Sequence, residues 1–411
     1  MTIVPGVSLG GGNRAGRGVH ALRGLVLACM VLALGGCASI QRTPLPESEV
    51  AKAAVLSDSS SPHPIRVWGD QKAPVQEYIG ARSETDLRRE FPAVYGQRHT
   101  YLALSGGGED GAFGAGLLTG WTATGRRPEF TIVTGVSTGA LIAPFAYLGP
   151  AYDRQLTEIY TEYSLKDIVR KRSVFSILSA ASAVDPKPMR ALISRYINPE
   201  VVERIAAEHR RGRQLWIGTT NLDAGRPVFW NIGAIASSSD PRRVGLIHDI
   251  LLASASIPGA FPPVLINVHA DGRVYDELHV DGGTTNQVFL YPAGTDWKFV
   301  TQKLRVRGRP ELYVIRNASL SPTYEPVKAS LVPIAGRSIS SLIRTQGIGD
   351  LYRIYFSAQR NGVDFNLAFI PPGNDPPPNT VFDLGHMRRM FELGRRQAMT
   401  GTAWHKSPPG F

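Results

Sequence analysis

"LALSGGGEDGAFGAGLLTGW", residues 102–121, decides the fold. An apolar, strand-like run passes into three consecutive glycines and then into a helix-like pattern. A glycine turn between strand and helix leaves backbone N–H groups bare, either for the phosphates of a nucleotide or for the oxygen of a reacting ester. Gly106-Gly107-Gly108-Glu109-Asp110-Gly111 fits G-x-G-x-x-G in the strand-to-helix setting of a dinucleotide site. Such a site also wants an acid ending the second strand about 20 residues on. Glu129 stands before its strand instead, and Glu109-Asp110 inside the turn would repel a pyrophosphate.

The second strand, Phe130 to Gly135, leads into Gly135-Val136-Ser137-Thr138-Gly139. Strand, G-x-S-x-G and helix form a nucleophile elbow, in which two glycines let the backbone crowd a sharp turn that presents the Ser137 hydroxyl. The helix that follows sets its N-terminal N–H groups, Thr138 first, beside the nucleophile. If the two strands are neighbours, the first turn becomes an oxyanion hole with Gly107 and Gly108 as donors. A base is also needed. Val280-Asp281-Gly282-Gly283 ends an apolar approach in an accessible carboxylate, whereas a Ser, acid, His order would draw on His386 or His405. His386 opens a predicted helix and His405 lies in the C-terminal tail; both arrangements stand at this point.

Around these motifs strands and helices alternate, which predicts an α/β chain with a largely parallel sheet covered on both faces. Tyr101–Ser105 reads as strand, 112–122 and 138–147 as helix. Further helical stretches cover 151–163 and 186–211, with a strand at 214–220, a short helix at 249–256 and a strand at 313–316. A long helix at 329–360, a strand at 363–369 and a helix at 386–399 close the chain, the last placing Met387, Met390, Phe391 and Ala398 on one face. The organisation expected is a leader (1–36), a tether with an N-terminal extension (37–98), a catalytic core (99–300) and a C-terminal α/β part packing on it (301–411).

Arg14, Arg17 and Arg23 precede the uncharged run Gly24–Leu34, the pattern of an export signal and too short to span a bilayer, which takes about 20 residues. Leu34-Gly35-Gly36-Cys37 resembles a bacterial lipobox, so Cys37 is expected to carry the lipid, and Ala38 behind it resembles outer-membrane sorting in Gram-negative cells. Cys29 would leave with the leader, excluding a disulfide framework or a cysteine-ligated metal; neither metal nor cofactor is implied. Residues 38–64, rich in Pro and Ser, read as a tether. The formal charge of +11 favours anionic partners. Arg170-Lys171-Arg172 and His209–Arg213 lack the interleaved aromatics of a nucleic-acid surface, so membrane lipid is the expected partner. "VFSILSAASAV", 174–184, reads as a membrane-facing lid or a core helix.

The glycine turn, G-x-S-x-G and D-G-G, in that order, resemble the patatin-like phospholipase family. Ala253-Ser254-Ala255-Ser256-Ile257-Pro258-Gly259-Ala260-Phe261-Pro262-Pro263 is similar to that family's A-S-x-S-x-P-x-x-F-P-P block. The likeness covers about Tyr101 to Phe289. It implies a three-layer α/β/α fold and a Ser–Asp dyad without histidine that hydrolyses acyl esters of lipids. Carried over by position, Ser137 is the nucleophile, Asp281 the base and Gly106–Gly108 the oxyanion loop, with Gly111, Gly135, Gly139, Gly282 and Gly283 as motif glycines. The loop departs from the usual D-G-G-G-x-[RK]-G: Ser105 stands for the leading acid and Asp110 for the basic residue. That loss of a cation bears on a phosphate-carrying substrate more than on acyl transfer. A catalytically silent lipoprotein of the same fold, binding lipid or a partner, is the alternative.

Overall fold

Side chains along the central strands alternate between two apolar cores, and this alternation makes the molecule three layers thick. From Thr100–Leu104, Leu102 and Leu104 enter one core while Tyr101 and Ala103 enter the other. Asp364–Ile370 does the same, Ala368 and Ile370 to the first core, Phe365 and Leu367 to the second. Successive side chains of a strand point to opposite faces, so a strand apolar on both sides needs a cover on each. The computed structural model describes residues 41–57, 64–72, 74–171, 184–292, 294–322, 324, 326–373 and 380–411. The leader, Cys37 and most of the lid-like stretch, 174–183, lie outside them.

The described strands, in chain order, are β1 (Arg66–Trp68), β2 (Thr100–Leu104), β3 (Ile132–Val136), β4 (Arg170–Lys171), β5 (Val184–Asp185), β6 (Gln214–Asn221), β7 (Arg226–Asn231), β8 (Val264–Ala270), β9 (Arg273–Asp281), β10 (Glu311–Ser319) and β11 (Asp364–Ile370). The main sheet runs β1-β7-β6-β3-β2-β10-β11, and its five strands from β6 to β11 pair in parallel. β7 and β1 add antiparallel at one edge, and β9 pairs with both β6 and β8. Helices named below are α1 (Gly111–Ala123), α2 (Thr138–Leu148), α3 (Asp153–Thr161), α4 (Lys187–Tyr196), α5 (Pro199–Arg210), α6 (Arg243–Ser254), α7 (Leu331–Arg360) and α8 (Leu384–Thr400).

The fold is the three-layer α/β/α arrangement with a mainly parallel sheet that the family resemblance implied. Three details differ from the sequence reading. The helix expected over 186–211 is two, because Asn198 caps α5 through Val201 N–H (3.0 Å) and Pro199 has no N–H to continue α4. Residues 42–57, read as tether, lie against the β8–β9 hairpin: Arg42 pairs with Asp223 and Asp276, Ala54 bridges to His269, and Val55 and Leu56 are buried. The sheet also runs across the 300/301 boundary, since β10 and β11 are two of its strands. α8 closes on α1 at backbone contact: a Cβ on Gly116 would meet Phe391 O at 1.9 Å, and one on Gly394 would meet Phe113 O at 2.1 Å. Gly116 and Gly120 of the opening stretch thus serve this helix crossing rather than the turn.

Candidate active site

β3 ends at Val136 and the chain enters α2 through Ser137, which holds φ 55°, ψ −125°. A non-glycine residue rarely adopts positive φ, and such strain persists only where neighbours enforce it. Here they do. The Ser137 N–H donates to Ser254 Oγ (3.0 Å), and that hydroxyl donates to Gly218 O (2.6 Å). The turn is closed so tightly that a Cβ on Gly135 would meet Gly139 O at 2.4 Å, and one on Gly139 would meet Leu104 O at 2.5 Å. Gly111 gives α1 the same access to the elbow, its missing Cβ leaving room for the Thr138 side chain.

β6 brings the acid. Along one edge it pairs with β7; along the other, Gly218 lies opposite Val136, and where β3 stops the next residue, Thr219, lies opposite Asp281 of β9. Consecutive residues of one strand therefore set Ser137 and Asp281 side by side. Gly282 passes so near Gly218 O that a Cβ there would lie 2.4 Å from it. Asp281 N–H donates to Ser256 O (2.9 Å), and its Oδ1 accepts from Gly283 N–H (2.7 Å). Oδ2 is buried with no hydrogen-bond partner of full geometry among the described residues. Burial pushes the Asp281 carboxyl up to about 7, against the opposing pull of the Ser137 hydroxyl and of Gly283 N–H. Ser137 and Asp281 are only 6% and 5% exposed.

Of the loop glycines expected as oxyanion donors, Gly106 is already committed, its N–H donating to Gln287 O (3.1 Å). The N–H groups of Gly107 and Gly108, and that of Thr138 at the start of α2, meet no acceptor among the described residues. The two departures in this loop have structural counterparts. Ser105 staples the loop to β10: its Oγ donates to Gly106 O (2.6 Å) and accepts from Asn317 N–H (2.8 Å). Asp110 Oδ1 meets His386 Nε2 at 2.7 Å.

A cation reaches the loop from elsewhere. Arg316 of β10 is buried, with Nη1 3.4 Å from Gly106 O and 3.3 Å from Gln287 Oε1. Burial lowers its pKa to about 10, while Asp350 and Asp110 favour the charged form. Sequence reasoning missed Arg316, Ser254 and Ser256 as parts of the site. The two serines sat in a block noted only for its resemblance, and nothing near Arg316 marks it. The histidines of the competing arrangement are elsewhere: His386 faces Asp110, and His405 pairs through its backbone with Leu367 and sets its ring 4.9 Å from that of Phe369. Among the described residues no histidine hydrogen-bonds Ser137 or Asp281.

Beside Ser137 opens a narrow, almost wholly apolar cavity of about 100 Å³. Leu141 and Phe145 of α2, Ile159 of α3, Met189 and Ile193 of α4 and Leu251 of α6 line it. Among the described residues no three His, Cys, Asp or Glu side chains gather as a metal site would need.

Residues 102–293 match the family model of the patatin-like phospholipases. No curated protein sequence matches the chain. Among solved structures, VipD from Legionella pneumophila is similar at 11% identity and a TM-score of 0.31, over 74% of this chain and 67% of that one. Human GIVD cytosolic phospholipase A2 is similar at 10% identity and a TM-score of 0.34, over 83% of this chain and 65% of that one. The chain thus spans about two thirds of the length of each.

Proposed function

From the patatin-like phospholipase domain that residues 102–293 form, we propose a serine lipid acyl hydrolase in which Ser137 is the nucleophile and Asp281 the general base. The carrying observation is the pairing along β6, which sets a strained serine against a buried carboxylate with one oxygen uncommitted. Asp281 takes the Ser137 proton as Oγ attacks the acyl carbonyl, and the oxygen that becomes negative is held by the N–H groups of Gly107, Gly108 and Thr138. The protonated Asp281 returns that proton to the departing alkoxide. Water, deprotonated in turn by Asp281, attacks the acyl carbonyl, the bond to Oγ breaks, and Asp281 returns the proton to Ser137 as the free acid leaves. The apolar cavity suits the acyl chain, since its lining offers the chain almost no polar partner.

Ser137→Ala should abolish hydrolysis of short-chain nitrophenyl esters and of membrane phospholipid while leaving the circular dichroism spectrum intact. Unchanged activity in that variant would sink the assignment. We also propose that acylated Cys37 holds the protein at the outer membrane. Cys37→Ser should then leave the membrane fraction on a salt wash, and retention after that wash would point to another anchor.

A further inference from the structure

α7 is longer than the sheet it packs on. It leaves β10 at the edge where β2 and β3 also end, and returns to β11, whose first residue Asp364 lies opposite Glu311. Its C-terminal half is well seated: Gly347 lies against the Arg316 guanidinium, Asp350 accepts from Gln287 N–H (2.7 Å), and Leu351 and Ile354 enter the second core. Gln287 in turn holds Gly106, so α7 passes the level of the oxyanion loop at Gly347–Asp350. Leu331 to Gln346 lie beyond that level. At 1.5 Å per residue these 16 residues form an arm of about 24 Å on the edge that carries Ser137.

Of the arm's described side chains none is buried. Leu331 is 82% exposed, Leu342 69%, Ile339 57% and Ile334 50%. At about 100° per residue they fall with Ile343 on one half of the helix, while Pro333, Arg337 and Arg344 fall on the other. A group of large aliphatic side chains this exposed on one helix face marks a contact surface. Charge identifies the contact: between Glu325 and Asp350 the chain has no acid, but it has Lys328, Arg337 and Arg344. An aliphatic face whose opposite, polar face carries cations and no acid fits the interface of an anionic phospholipid bilayer, where the apolar side enters the acyl boundary and the long cationic side chains reach back to head groups.

We propose that the Leu331–Gln346 arm is a bilayer-docking element that seats the Ser137 edge on an anionic membrane. The inference rests on the lipid hydrolase reading above, and binding is measured separately from turnover so that each can fail alone. The full chain carrying Cys37→Ser, which removes the acyl anchor, is floated with phosphatidylglycerol–phosphatidylethanolamine vesicles and with phosphatidylcholine vesicles, with and without Leu331→Gln/Ile339→Gln/Leu342→Gln.

The expected result is binding to the anionic vesicles that weakens with salt and falls about tenfold or more in the triple variant. Hydrolysis of a soluble nitrophenyl ester should be unchanged, showing that the body is folded. Equal flotation of the two chains, or equal binding to both vesicle types, would overturn the proposal. So would a dimer in sizing experiments that the triple variant dissolves while vesicle binding stays the same, since the arm would then serve a second copy. Ser137→Ala in the same background separates the two readings: flotation intact with ester hydrolysis unaffected would overturn the enzyme reading and leave the docking arm standing.

Discussion

A lone aspartate is an ordinary choice for an acid and a poor one for a base, so Asp281 depends on its surroundings. An exposed aspartate has a pKa of about 3.9 and little affinity for a serine proton. Burial beside Ser137 lifts Asp281 to about 7, which makes the carboxylate a stronger base while leaving much of it ionised at neutral pH. Because the ionised form is the base, kcat/KM should rise through pH 7 and level off above it. The same burial disfavours the ionised form in the folded state. Its cost is absent below pH 4, grows up to pH 7 and stays at its ceiling above; raising a carboxyl from 3.8 to about 7 corresponds to about 4 kcal/mol. Asp281→Asn should therefore melt above the wild type at pH 8 and level with it near pH 4. Equal melting at both values would mean that the carboxyl is not held against its charge. Ser137 and Asp281 were legible as a pair from G-x-S-x-G and D-G-G, because each motif encodes a local turn. Arg316 was not, since it comes to the loop from a strand some 200 residues away with no turn chemistry around it.

The elements explain why the block Ala253–Pro263 accompanies the G-x-S-x-G and D-G-G motifs. Ser254, the last residue of α6, takes the Ser137 N–H, and Ser256, just beyond it, takes the Asp281 N–H on its carbonyl. One helix end thus sets the backbone of both Ser137 and Asp281. The side chain of Ser254 acts on the elbow while that of Ser256 turns back onto Leu252 O. Ser254→Ala leaves a buried N–H unsatisfied in a strained turn, a cost of about 1–3 kcal/mol. It should lower kcat by one to two orders of magnitude with little change in KM, whereas Ser256→Ala, which keeps the carbonyl, should retain most of its activity. Similar losses in both variants would mean that α6 contributes stability alone. The parallel strands and the helices beside them were readable from apolar runs and glycine punctuation. The β8–β9 hairpin was not: its register is fixed by pairing to β6 and to residues 42–57, which leaves no local mark.

In the whole molecule Ser137 and Asp281 come from two strands far apart in sequence, β3 and β9, that both pair with β6. β2 and β3 deliver the glycine loop and Ser137, β9 delivers Asp281 along β6, and β10 with α7 braces the loop through Arg316, Asn317 and Asp350. The C-terminal segment is therefore part of the site's frame, a role that its sequence pattern of helix and strand could not announce. The proposed service of Asp281 to Ser137 without a histidine is read from the kinetics of substituted enzymes on a soluble acyl ester. Asp281→Asn keeps the shape and removes the base, so its kcat/KM should fall nearly as far as that of Ser137→Ala. His386→Ala and His405→Ala, checked for folding by circular dichroism, should keep most of theirs. A folded histidine variant as inactive as Ser137→Ala, beside an Asp281→Asn enzyme that still turns over, would contradict the dyad and make the protein a Ser-Asp-His hydrolase.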